Sequence, residues 1–380
     1  MTNKKTVLFI AYYFEPYIGV GAQRVSYWAK NISRVNPNIV CDVVTATPQN
    51  GIKTKSIRNI YYVEDSGYSK LKGLIKDPGV TWLNDLKRFF MQNRDNLNYD
   101  YVLLTGGPFM HFAIAKLLKK LFRCKIILDF RDPFANNPRF NNNLVKSKVK
   151  GFFEKPFIKA ADILITVNKY VGNLLMINNS SELYIVENGF DETIVNRYID
   201  KKVALEGTRI NLVYAGSFYE DRNPRVFLDV VSKELENYYC FNHIGKRDSF
   251  LTPYRTIINE YGVKSYQETI EIISSCDIGL IFTSGKEFES TTKVFDYIGL
   301  KKAIFIITEG TSLTGSLSEI LKDYPKVFWC NNNYWDIHQM LKKILENDLS
   351  VNKYDNYCFT RGSGLNKLVS ILEMMENGGI

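Results

Sequence analysis

Short uninterrupted apolar runs, bounded by turns, recur along this chain and alternate with stretches whose apolar residues return at helical spacing. That alternation is the pattern of a parallel sheet covered by helices on both faces. Val7 to Phe14 is the first run; Gly19-Val20-Gly21 follows as a turn, and Val25, Trp28, Ala29 and Ile32 then repeat at helical spacing. The series continues with strands predicted at Val40 to Thr45 and Tyr101 to Leu104, a helix over Met110 to Phe122, and strands at Lys125 to Phe130 and Ile163 to Val167. Strands alternating with helices build right-handed βαβ units.

The polar turn Asn188-Gly189-Phe190-Asp191 breaks the pattern, and residues 191–208 show little apolar periodicity. A second series then starts: strands at Ile210 to Ala215, Tyr239 to Ile244, Ile278 to Phe282, Ala303 to Ile307 and Val327 to Trp329. Helices are expected at Pro224 to Leu235, Tyr266 to Ser275, Thr291 to Ile298 and Tyr334 to Leu345. At 380 residues the chain has the length of two domains. We place them at 1–187 and 188–380, with the last helix a candidate for packing back on the first. The expected class is α/β, two doubly wound Rossmann-like domains facing across a cleft. Ligands of open α/β sheets bind beyond the carboxyl ends of the strands, so residues just after strands carry the search for chemistry.

Charge divides the chain unevenly. Residues 1–185 hold 27 basic and 13 acidic side chains, whereas residues 186–380 hold 22 and 27. The first half therefore suits an anionic partner. No helix-turn-helix, zinc or RNP-type pattern points to nucleic acid, which leaves an acidic membrane surface. No apolar run is long enough to cross a bilayer. The opening VLFIAYYF runs into Glu15 and Pro16 without an A-x-A site, so it reads as a buried strand and not as a secretion signal. Six cysteines without a C-x-x-C pair fit reduced thiols in a cytoplasmic protein, and three histidines give zinc little support. The best membrane-docking stretch is Leu144 to Lys159, where Lys146, Lys148, Lys150, Lys155 and Lys159 interleave with Val149, Phe152, Phe153, Phe157 and Ile158. Met110 to Lys125 is also basic and amphipathic, but reads as a helix that covers the sheet.

Four segments place polar residues after strands. Gly19 and Gly21 let backbone approach a ligand where helix-start N–H groups face negative charge, or simply make a turn. In Asp129-Phe130-Arg131-Asp132 two carboxylates flank an arginine, a set suited to acid/base work or sugar hydroxyls; an Asp cap is the structural alternative. Gly216 and Ser217 end a strand, and Arg222 precedes a helix opened by Pro224, an arrangement that suits a diphosphate. Within EFESTTKVFD, Lys293 and Asp296 occupy neighbouring helical positions, where a cation could meet a phosphate and a carboxylate a ribose diol; a surface ion pair is the alternative.

Together FIAYYFEPYIGVGAQR, DFRDPF, ENGFD, YAGSFYEDRNP and STTKVFDYIG resemble family 4 of the glycosyltransferases, a retaining group with the GT-B fold. The resemblance runs over nearly the whole chain, in order. It implies a nucleotide sugar, such as a UDP- or GDP-sugar, as substrate and no separate cofactor. The donor would be held mainly by the second domain and the acceptor by the first. By motif position Gly19 and Gly21 would face the donor phosphate or sugar, and Arg222 would be the basic diphosphate ligand. Lys293 and Asp296 fall in the family's glutamate-rich donor motif; its second glutamate stands as Asp296, and its first falls among Glu287, Phe288 and Glu289, with Glu289 taken as donor-binding. The polar residue after the fifth strand falls within 129–132, giving Asp132, or failing that Asp129, as catalytic candidates and Arg131 as an acceptor-orienting residue. No D-x-D pair occurs, so metal independence is expected. The implied activity is retaining transfer to a saccharide acceptor, expected to be lipid-linked, for surface polysaccharide such as O-antigen, capsule or exopolysaccharide. The expected place is the cytoplasmic face of the cell membrane. The alternatives are a GT-B-fold nucleotide-sugar epimerase and a two-lobed binding protein without activity; a single domain boundary counts against the latter.

Overall fold

The apolar runs become the middle strands of two parallel sheets in a computed structural model that describes residues 4–49, 54–69, 75–139, 144–177, 182–199, 208–310, 314–352 and 354–376. The chain divides into two compact units, Met1–Glu187 with Ser363–Ile380, and Asn188–Gly362. In the first unit the strands are β1 (Lys5–Ala11), β2 (Ile39–Thr45), β3 (Ile57–Tyr62), β4 (Tyr101–Thr105), β5 (Lys125–Phe130), β6 (Ile163–Thr166) and β7 (Glu182–Ile185). Their order is β3-β2-β1-β4-β5-β6-β7, and every pairing is parallel. The second unit has β8 (Ile210–Ala215), β9 (Tyr239–Ile244), β10 (Ile258–Gly262), β11 (Ile278–Thr283), β12 (Ala303–Thr308) and β13 (Val327–Asn331), in the order β10-β9-β8-β11-β12-β13. Both orders reverse direction beside the first strand, between β1 and β4 and between β8 and β11. Such a switch point opens a crevice at the carboxyl ends of the strands.

The middle strands of each sheet are buried on both faces because they are apolar on both. In β1, Leu8 and Ile10 enter one core layer, while Val7, Phe9 and Ala11 enter the other, following the two-residue alternation of a strand. The second unit is layered likewise, with Leu212 and Tyr214 on one side of β8 and Val213 on the other.

The last helix, Arg361–Glu376, completes the first unit. Leu365, Leu368, Val369, Ile371, Leu372 and Met375 pack into the layer formed by Val7, Phe9 and Trp28. Burying each such side chain contributes roughly 1.5–3 kcal/mol relative to leaving it exposed. The chain therefore passes between the units twice, at 187/188 and at 362/363. The number of crossings therefore does not argue against a two-lobed binding protein.

Three strands, β3, β7 and β10, and the helix Gly79–Asn93 were not expected from the sequence. The first run also stops earlier than predicted, at Ala11. The predicted helix from Met110 opens as a 3-10 turn, Met110–Ile114, before the α-helix Ala115–Phe122.

Candidate functional site

In the second unit the residues after β8 and β11 form one constellation. Gly216 has φ +141°, a conformation that side chains rarely adopt. A Cβ placed on it would lie 3.2 Å from Lys293 Nζ. That ammonium sits 3.9 Å from the centroid of the Tyr214 ring, a cation–π contact that holds it over the end of β8. Lys293 opens the helix Lys293–Gly299, while exposed Ser217 has an N–H without a hydrogen bond among the described residues. Gly216, Ser217 and Lys293, expected to bind donor phosphates, are thus brought together as a bare backbone segment, a backbone donor and a cation.

Arg222 and Glu289 are also brought together, but as partners of one another. Arg222 Nη2 lies 3.0 Å from Glu289 Oε1. Glu289 further accepts hydrogen bonds from Thr283 Oγ1 at 2.7 Å, Ser284 Oγ at 2.7 Å and Ser284 N at 3.1 Å. Burial raises the Glu289 pKa, but the Arg222 charge and these donors outweigh it, so the carboxyl titrates below its ordinary range. Glu289, expected to touch the donor, is buried, with Oε1 held by Arg222 and Ser284 Oγ and Oε2 by Thr283 Oγ1 and Ser284 N.

Asp296, expected at the ribose, is half-buried and accepts a 2.6 Å hydrogen bond from the Tyr266 hydroxyl. The Arg361 guanidinium stacks 4.4 Å from the Tyr266 ring centroid and reaches Asp191 at 3.8 Å. Burial pushes the Asp296 pKa up to about 6, against the pull of Arg361 and Tyr266. Tyr266, Arg361 and Asp191 were not among the expected site residues; each lies far along the chain from Asp296, beyond the reach of a spacing argument.

In the first unit the two aspartates after the glycine loop separate sharply. Asp129 is fully buried within β5, accepts a hydrogen bond from Thr105 Oγ1 at 2.9 Å and pairs with Arg24 Nη2 at 3.2 Å. Asp129, the second catalytic candidate, is thus engaged inside the first unit. Asp132 is exposed just past the strand. Arg131, expected to orient an acceptor, donates from Nε and Nη2 to Gly106 O at 2.9 and 2.5 Å and from Nη1 to Gly21 O at 2.8 Å. It therefore ties the first turn of the helix after β1 (Val20–Val35) to the loop after β4. Gly19 and Gly21 have a packing reason for lacking side chains: a Cβ would meet the Tyr17 ring at 2.2 Å or the Tyr13 ring at 3.1 Å. Those rings stack with centroids 4.4 Å apart.

The basic helix Leu144–Ala160 keeps Phe157 and Ile158 in the core. Val145, Lys148, Phe152, Lys155 and Lys159 are exposed, and their spacing of three and four residues puts them on one face. Phe152 is 74% exposed and Leu144 80%. Lys146 is exposed as well, but Lys150 is not part of this face: it is half-buried, with Nζ 5.3 Å from the Phe134 centroid, and burial lowers its pKa. Among the described residues no helix is long and apolar enough to cross a membrane.

No protein-family model matches the sequence, and no curated protein does. Solved structures do. The sucrose-phosphate synthase (tll1590) of Thermosynechococcus elongatus superposes with a TM-score of 0.74 at 9% identity, over 99% of this chain and 100% of that one. Anabaena Alr3699/HepE, solved in complex with UDP and glucose, gives 0.65 at 10% identity, over 97% and 99%. A UDP-N-acetylglucosamine 2-epimerase gives 0.59 at 11% identity, over 99% and 97%. Likeness over nearly the full length of each chain shows the fold: two Rossmann-like domains of the GT-B type.

Proposed function

We propose that this protein is a metal-independent retaining glycosyltransferase that moves a sugar from a nucleotide sugar to a saccharide acceptor. The observation that carries the reading is the meeting of Lys293, the bare backbone of Gly216 and the Ser217 N–H at the switch point of the second unit. A cation beside outward-facing backbone donors suits a diphosphate, and such groups stabilise the charge that develops on a leaving phosphate. Likeness to a synthase of sucrose phosphate and to a structure holding UDP and glucose supports the same ligand class. Arg222, steadied by Glu289, adds a guanidinium donor to the Lys293 ammonium. Asp132 orients the reacting acceptor, and the departing phosphate helps to take the acceptor's proton on the same face of the sugar, which retains the anomeric configuration.

Calorimetry with UDP and GDP tests the donor reading. Arg222→Ala and Lys293→Ala should each weaken nucleoside diphosphate binding by about 1.5–3 kcal/mol, as for a charge-assisted hydrogen bond. Unchanged affinity in both variants would sink the assignment. Turnover should survive EDTA; strict dependence on an added divalent ion contradicts the metal-free reading.

The likeness to an epimerase favours one second reading, a nucleotide-sugar epimerase using the same donor constellation. Free epimerised sugar in the product mixture would decide for it.

The acceptor is a lipid-linked saccharide of surface polysaccharide, reached from the cytoplasmic face of the membrane. Support comes from the basic first half of the sequence and from the exposed stripe of Val145, Lys148, Phe152, Lys155 and Lys159. Each lysine near an anionic leaflet contributes about 1 kcal/mol, and Phe152 can enter the headgroups. Replacing Lys148, Lys155 and Lys159 by Gln should lower binding to anionic vesicles by up to roughly 3 kcal/mol, while Lys150→Gln should change it little. Equal co-sedimentation with neutral and anionic vesicles counts against this face.

A further inference from the structure

We infer that His243 is a positioning residue for the diphosphate: by holding the Gly216 carbonyl, it turns the Ser217 N–H outward as a phosphate donor. The inference rests on the donor reading of the second unit. His243 belongs to β9, lies fully buried, and places Nε2 2.9 Å from Gly216 O. A carbonyl oxygen can only accept, so Nε2 carries the proton. Among the described residues the buried Nδ1 has no partner, and burial, with Lys293 nearby, holds the imidazole pKa below its ordinary value. The ring is thus neutral and in a single tautomer.

The geometry turns that hydrogen bond into a ligand contact. The only cis peptide bonds among the described residues are Glu15-Pro16 and Gly107-Pro108, so the Gly216–Ser217 peptide is trans. In a trans peptide the carbonyl and the following N–H point in opposite directions. Anchoring Gly216 O inward on His243 therefore directs Ser217 N–H away from the core. The loop is held at two further points: Gly216 N donates to Ile244 O at 2.8 Å, and the Tyr214 hydroxyl donates to Ser217 O at 3.0 Å. The imidazole itself is fixed by aromatic neighbours, with ring centroids of Phe218 at 4.6 Å, Tyr214 at 6.2 Å and Phe241 at 6.4 Å. An aliphatic residue would fill this space equally well; only a side chain with a donor at that distance sets the peptide plane.

His243→Phe keeps the aromatic packing and removes the donor, whereas His243→Gln retains an amide N–H that can reach the carbonyl. With calorimetry for UDP and GDP, and ligand-observed NMR for uridine and guanosine, H243F should bind the preferred diphosphate about tenfold more weakly. Nucleoside affinity should stay the same, and H243Q should regain most of the loss. In the wild-type protein, the Ser217 amide resonance should move downfield on adding the diphosphate and stay in place on adding the nucleoside; this reading holds even if H243F does not fold. Wild-type affinity for the diphosphate in H243F, equal loss for nucleoside and diphosphate, or an unmoved Ser217 amide each overturns the inference. A wild-type protein that binds neither UDP nor GDP overturns the donor reading itself, and this role with it.

Discussion

Asp132→Asn is expected to lower kcat by on the order of 10²–10⁴, the range for a positioned acid/base group, with the affinity for the donor nucleotide unchanged. The carboxylate is exposed just beyond β5, at the carboxyl end of a switch-point sheet. Asn keeps the shape and a hydrogen-bond acceptor but loses the charge that would steady an acceptor proton or an oxocarbenium-like centre. Turnover is to be measured with the donor that calorimetry identifies, and the anomeric configuration of the product by NMR. Near-native turnover in Asp132→Asn would make the residue structural. An inverted product would refute retention while leaving the role of Asp132 open to the same measurement.

The neighbouring change, Asp129→Asn, should act on stability instead. Arg24 is 6% exposed and Asp129 fully buried, so neutralising the carboxylate leaves a guanidinium without its counter-charge where water does not enter. Breaking a buried pair from one side typically costs about 3–5 kcal/mol. Arg24 also donates to Glu187 O at 2.8 Å and stacks 4.1 Å from the Trp28 centroid, so the disturbance reaches the end of the first unit's sheet. Urea unfolding should show the transition of the first unit at lower denaturant, with nucleotide binding by the second unit preserved. Joint replacement, Arg24→Met with Asp129→Leu, should recover much of the loss, because a buried pair exchanged for apolar volume is often close to neutral. A variant as stable as the wild type would show that the pair contributes nothing.

These two aspartates show where sequence reading stopped. Position at the end of a strand was legible, since Ile126 to Leu128 is an apolar run, but strand-end position does not say which carboxylate faces inward. That depends on Arg24, which approaches Asp129 from a helix far upstream. Glu289 is a similar case: its motif position was readable, but the Arg222 partnership that occupies it belongs to a loop on the other side of the switch point. The missed strands have a different cause. β3, β7 and β10 are sheet edges, covered less completely than the middle strands, and IRNIYY, ELYI and INEYG carry polar residues where the central strands are apolar. The helix Gly79–Asn93 did carry a signal, Trp82, Leu86 and Phe90 at four-residue spacing, all of them buried. His243 carried none, because one histidine in a strand does not disclose which carbonyl it will meet.

The return of the final helix to the first unit also governs the order in which the protein can be completed as it is made. The layer around Val7, Phe9 and Trp28 lacks Leu365, Leu368 and Ile371 until residues 188–362 have been translated. At about 5–20 residues per second that is a delay of roughly 10–35 s, during which Val25, Trp28 and Ile32 cover that face of the first sheet without the final helix beside them. The second unit is continuous in sequence and has no such wait. Translation thus inverts the usual amino-terminal-first sequence of domain folding: the unit synthesised later can close first, and the first unit is sealed by a helix that emerges after it.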